Sequence, residues 1–209
     1  MQTNLEATST IKRLGLNYEI GFMLLDPDST RASVDESIRF LRKISCDGLT
    51  SVIFNKMGAL AATPIETRLI EERRLEGSIT APDYRFTDPL LDWYEIFMKV
   101  AFSWYAGPDG FARRLREARL DKLIVKRFAG SAMSFEYEEA LRALTARVND
   151  DVLRALERGL RVVYDGAEAE IAQRWTVLDE IEAGMRSREK AYARELRDIL
   201  DLYREPTVV

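Results

Sequence analysis

Tyr18-Glu19-Ile20-Gly21-Phe22-Met23-Leu24-Leu25-Asp26-Pro27-Asp28-Ser29-Thr30 is the stretch on which the fold turns. Ile20 to Leu25 is an apolar run interrupted only by Gly21. Closed by Asp-Pro-Asp, such a run reads as a strand buried on both faces. Pro27 stops a ladder and sets a turn. Ser33-Val34-Asp35-Glu36 has capping-box spacing, in which Ser33 and Glu36 satisfy each other's free N–H groups. The helix that follows puts Val34, Ile38, Leu41 and Ile44 on one stripe.

Gly48 to Asn55 reads as a second strand. Joined by a helix, 18–25 and 49–57 are expected to lie parallel with a right-handed crossover. Two such strands expose their edges, so they need neighbours from preceding chain, a partner or a second copy.

Elsewhere the pattern is helical. Leu5–Leu14 is expected to be a helix ending at Gly15. Thr63-Pro64-Ile65-Glu66 starts another, with Thr63 as N-cap and Pro64 at the first position, running to about Gly77. Residues 78–87 read as a loop. Asp88-Pro89 caps the most apolar helix, 89–106, which Gly107-Pro108 ends. Segments 109–127, 133–164 and 167–204 follow, with Gly159, Gly166 and Gly184 as candidate breaks and antiparallel hairpins or a short bundle as the expected packing.

Three segments resemble radical S-adenosylmethionine (SAM) enzymes of the cobalamin-binding branch. Ile20 to Thr30 is similar to a late barrel strand reading G-F-I/M-L/F-F-D-P-x-x-T. Asn55-Lys56-Met57-Gly58-Ala59-Leu60-Ala61-Ala62-Thr63-Pro64 resembles the next strand and its P-G-T-P-like turn. Tyr84-Arg85-Phe86-Thr87-Asp88-Pro89 resembles the Y-x-F-x-D-P element beyond the barrel.

The resemblance and the strand reading together imply an α/β fold. An incomplete parallel (partial TIM-like) barrel segment over 1–87 is followed by a mostly α-helical C-terminal region over 88–209, with a composition shift near 106–108. The resemblance further implies that Gly21 and Met23 touch the nucleoside of S-adenosylmethionine, and that Asp26 and Asn55 face the cavity at strand C-terminal ends. Leu25 departs from the second glycine of the family's pattern. The activity implied is reductive cleavage of S-adenosylmethionine to a 5′-deoxyadenosyl radical, often for methyl transfer to an unactivated carbon.

Composition bounds these expectations. The 209 residues contain no histidine and one cysteine, Cys46. That excludes Ser-His-Asp and Cys-His sites and every histidine-containing metal cage. It also excludes a 4Fe–4S cluster on this chain, because the CxxxCxxC pattern supplies three thiolates. Cluster and cobalamin are therefore expected outside this chain, on a radical SAM core subunit, and a homo-oligomer is the other partnership expected.

A net charge of −4 argues against a nucleic-acid partner. No apolar run reaches the ~20 residues that span a bilayer. Met1–Thr10 lacks the marks of a secretory leader, so the expected location is cytoplasmic. A non-catalytic helical dimerisation module is the alternative reading, motivated by the 89–106 helix.

Other candidates keep two readings. Asp26 and Asp28 serve a ligand or the turn around Pro27. Cys46 is a reactive thiol or a small buried filler. The Trp93–Tyr105 aromatics are a ligand lid or packing core. Phe135–Glu139 offers carboxylates but reads better as a solvated face, as does the Arg113, Arg114, Arg116 and Arg119 group.

Overall fold

A computed structural model describes residues 2–50, 53–128, 131–165 and 171–204. Two long helices dominate it, α7 (Ser131–Asp165) and α8 (Ile171–Arg204). On α7 the buried residues Tyr137, Leu141, Leu144, Val148, Val152, Leu156, Leu160 and Val163 recur every three or four positions. On α8 the buried set is Leu178, Ile181, Met185, Tyr192, Leu196 and Ile199. Stripes of this period bury against each other. Cross-helix pairs fix the direction. Val163 meets Arg174, Asp151 meets Arg188 and Tyr192, and Arg147 meets Glu195, so the two helices run antiparallel.

α6 (Phe111–Phe128) lies on both. It buries Phe111, Leu115 and Ala118, and Tyr137 donates to the Ala118 carbonyl at 2.8 Å. The expected 89–106 helix is two pieces, α4 (Pro89–Ala101) and α5 (Ser103–Ala106). Phe102 leaves helical geometry between them and stacks on Phe54, ring centres 4.7 Å apart. The Asp88 cap is present, accepting from the Leu90 N–H at 3.0 Å.

The N-terminal third is less regular. α1 (Gln2–Arg13) ends at Gly15, whose φ of +66° and bond to the Lys12 carbonyl close the helix. α2 (Arg31–Ser45) begins three residues earlier than expected. Its capping box is Thr30 with Ser33, each side chain accepting the other's N–H, rather than Ser33 with Glu36. The stripe Val34, Ile38, Leu41 and Ile44 is buried.

The parallel barrel segment is not formed. Among the described residues, segments 18–25 and 49–57 meet at two isolated parallel bridges, Glu19 with Leu49 and Leu25 with Lys56, and between them Ile53 and Phe54 form a turn, the Ile53 N–H donating to the Thr50 carbonyl at 3.4 Å; residues 51 and 52 lie outside the described residues. Six residue steps separate the bridges on one segment and seven on the other, so no even ladder can join them. Nor is the first segment buried on both faces. Ile20 and Leu24 face the core, while Gly21 and Met23 face outward, Met23 at 53% exposure.

The sheet that does form among the described residues is an antiparallel hairpin, β1 (Leu75–Ser78) with β2 (Ala81–Tyr84). It lies where α3 (Pro64–Glu71) was expected to continue and where a loop was expected to follow. The fold class is therefore predominantly helical, not α/β with a partial barrel. One apolar core runs from Ile20 to Ile199.

A buried polar node ties the irregular third to the helices. Asn149 of α7, 1% exposed, donates to the Cys46 carbonyl at 2.8 Å and the Gly48 carbonyl at 2.7 Å. Its Oδ1 accepts from Thr50 at 2.9 Å, and the Thr50 hydroxyl meets that of Tyr105 at 3.2 Å. Cys46 itself is exposed, at φ +36°, rather than a buried filler. Of the three glycines expected as breaks, Gly159 and Gly184 break neither long helix, and Gly166 lies outside the described residues. A Cβ on Gly159 would stand 2.1 Å from the Phe97 ring, so this glycine lets α4 seat on α7; beside Gly184 there is open space.

Three substitutions test this packing. Asn149→Leu removes the donor to the Cys46 and Gly48 carbonyls and leaves the Thr50 hydroxyl only Tyr105, and should cost about 3 kcal/mol in urea unfolding; a loss under 1 kcal/mol would show that the node is incidental. Gly159→Ala should destabilise by about 1–2 kcal/mol, its overpacking outweighing better helix propensity. Gly184→Ala should stabilise by about 0.5–1 kcal/mol. Equal signs for the two glycine variants in thermal unfolding would contradict the seating of Phe97.

Candidate functional site

The two extended segments end together, because the Met57 N–H donates to the Leu25 carbonyl at 2.8 Å. Two clefts open there and share Met57. One, of about 540 Å³, is lined by residues including Asn55, Lys56, Asp83, Glu95 and Lys99. The other, of about 400 Å³, is lined by residues including Asp26, Asp28, Pro64 and Arg68.

Lys56 is the centre of the larger cleft. It lies between Asn55 and Met57 and its side chain is 9% exposed. The hairpin brings Asp83 to 2.8 Å from its ammonium and adds the Tyr84 carbonyl as a close acceptor. α4 brings Glu95, 7% exposed, to 3.1 Å. The rings of Tyr84 and Phe86 lie 4.1 and 4.6 Å away, close enough for cation–π attraction. The ammonium has three protons and three acceptors, so it is held as an anchor and not poised as a nucleophile.

The second Glu95 oxygen meets Lys99 at 2.7 Å, and Lys99 is 59% exposed at the cleft mouth. Burial pushes the Asp83 carboxyl up, but the hydrogen bonds from Lys56 and the Tyr84 N–H outweigh it, and the net shift is downward from 3.8. Burial pushes the Asp92 carboxyl above its ordinary value, against the pull of the Phe86 N–H. Burial, then the charges of Asp26 and Glu95, push the Tyr84 phenol up. The Tyr84 hydroxyl is buried with no hydrogen-bond partner among the described residues.

The residues singled out from the sequence divide between places. Asp26 and Asn55 stand at the adjoining ends and line one cleft each. Asp26 also holds the turn, its Oδ1 accepting from the Asp28 N–H at 2.9 Å and from the Ser29 hydroxyl at 3.2 Å. Gly21 and Met23 sit on the outward face and line neither cleft. Most of the 93–105 aromatics, including Tyr94, Phe97, Trp104 and Tyr105, are core. Arg119 is buried rather than on a solvated face, and donates to the Asp47 carbonyl.

Sequence reading passed over Lys56, Glu95 and Tyr84. The available signal was a glutamate on the apolar face of α4. Among the described residues no group of three or more His, Cys, Asp or Glu is placed to hold a metal ion. Among them, too, no helix is long and apolar enough to cross a membrane. Comparison with protein-family models, curated proteins and solved structures gives no match for this chain.

Lys56→Met should cost about 3 kcal/mol, because it leaves Glu95 buried with only Lys99 to oppose it. Adding Glu95→Leu should recover most of that loss in chemical denaturation. The acid limb gives a second readout. The stability Asp83 contributes is fully present above its ordinary value of 3.8 and is lost as pH falls through its lowered folded value. That acid loss should shrink in Lys56→Met; an unchanged acid limb would mean Lys56 does not hold Asp83.

Proposed function

We propose that the chain is the C-terminal portion of a cytoplasmic radical SAM enzyme of the cobalamin-binding branch, working with a chain or segment that bears CxxxCxxC. The observation that carries this reading is the order and spacing of its three motif-like segments, at 20–30, 55–64 and 84–89. The nearness of Asp26 and Asn55 supports it, since both flank the Leu25–Lys56 bridge and line clefts that share Met57.

With one cysteine the residues do not fit an iron–sulfur cluster, which belongs to the other part together with cobalamin. For S-adenosylmethionine the fit is better. Nothing lies within 4 Å of where a Gly21 Cβ would stand, so a planar base can approach that backbone closely. Met23 is exposed to pack on the base, and Asn55 is exposed to hydrogen-bond at the cleft. When bound, S-adenosylmethionine supplies the family's radical chemistry; Gly21, Met23 and Asn55 would help position it, with the other part of the enzyme covering the exposed face that carries Gly21 and Met23.

Co-expression with the chains encoded beside it tests the reading. A CxxxCxxC-bearing partner should copurify, and 5′-deoxyadenosine should form only when both are present, less with Gly21→Val. Copurification of nothing with that motif, or cleavage indifferent to this chain, would sink the assignment.

A second reading rests on one specific observation. Trp93, Ile96 and Val100 form an exposed apolar stripe on α4, at 40%, 46% and 45% exposure. A helical module that dimerises through this stripe should be a dimer by light scattering, and a monomer as Ile96→Asp. A monomeric wild-type chain would dispose of it.

A further inference from the structure

We propose that the cavity between the start of α4, the last turn of α7 and the first turns of α8 is a binding site for a small uncharged aromatic molecule. The cavity holds about 200 Å³ and is lined by Leu90, Trp93, Val163, Arg174, Trp175 and Leu178. It lies apart from the clefts around Asp26 and Asn55, and the inference does not rest on the function proposed above.

Three features select the ligand. The walls are almost wholly carbon, with Val163 and Leu178 buried at 2% and 4% exposure. A water inside needs two to four polar partners, and this lining offers next to none. Water is held weakly against such walls and gives way to apolar molecules; an apolar cavity of about 150 Å³ already admits benzene. Drug-sized ligands need about 300 Å³ or more, so the occupant has one or two rings.

Aromatic walls favour an aromatic guest. Trp93 and Trp175 stand edge to face, ring centres 5.4 Å apart and planes at 62°. A ring entering beside them meets both an edge and a face, the geometry in which aromatic pairs gain beyond their buried area. Trp93 is 40% exposed, so the indole that forms one wall also stands at the entrance. The one charged lining residue is turned to another use, since Arg174 Nη1 donates to the Val163 carbonyl at 3.1 Å. A charged or strongly polar guest would lose water and find little in return.

The full-length chain tests this with benzene and iodobenzene as probes. Iodobenzene should quench tryptophan emission saturably at one site per chain. Benzene should raise the melting temperature with the concentration dependence of one-site binding to the folded state. Leu178→Phe fills the cavity and should abolish both effects; Trp93→Ala, at the entrance, should weaken affinity by roughly tenfold or more. Leu120→Ala, exposed on α6, should leave both intact. Should Leu178→Phe fail to fold by circular dichroism, Trp93→Ala carries the test alone. Non-saturating quenching, no thermal shift in the wild-type chain, or full effects in the folded cavity variants would overturn the proposal.

Discussion

The architecture depends on how one buried amide is satisfied. Asn149 sits inside a helix beside the buried Val148, Val152 and Leu153, where a side-chain amide is costly unless matched. It is matched by the carbonyls of Cys46 and Gly48 and by the hydroxyl of Thr50. These are consecutive parts of the turn that leaves α2 and starts the second extended segment. The node therefore fixes where 49–57 begins, and through the Leu25–Lys56 bridge where 18–25 ends. Arg119 and Tyr18 complete the enclosure, donating to the Asp47 and Ser45 carbonyls. A segment without a continuous ladder is held by helices instead of by neighbouring strands.

The same logic governs the cleft around Lys56. A lysine with 9% of its side chain exposed needs acceptors, and they come from separate elements, Asp83 and Tyr84 from the hairpin and Glu95 from α4. Two aromatic rings lie against the ammonium where water would otherwise stand. The hairpin is mostly solvent-facing and short, so this cation supplies much of what ties it to the helices.

Much of the helical part was legible because helices announce themselves locally. The stripe of Val34, Ile38, Leu41 and Ile44, the Thr63-Pro64 and Asp88-Pro89 starts, and the run from Leu178 to Ile199 all follow from period and capping. What failed was non-local. Ile20 to Leu25 has the composition of a buried strand, but composition does not say whether a partner lies on each side, nor that the partner segment carries one extra residue between bridges. The Leu75–Tyr84 hairpin has little alternation and a proline in its second strand, so it gave a weak signal. Asn55 and Asp26 stand beside the Leu25–Lys56 bridge, whereas Lys56, in sequence between Asn55 and Met57, carried no motif that marked it out.

Gly159 has a mechanical consequence. A helix resting on an evenly studded cylinder can settle at any of several steps, each a turn of about 5.4 Å apart. The Phe97 ring occupies the one notch in α7 left by the missing side chain, which works as a detent. α4 cannot creep along α7; it is either engaged or lifted off. Glu95 and Trp93, carried on that same helix, inherit a fixed address from a residue that neither of them needs to touch.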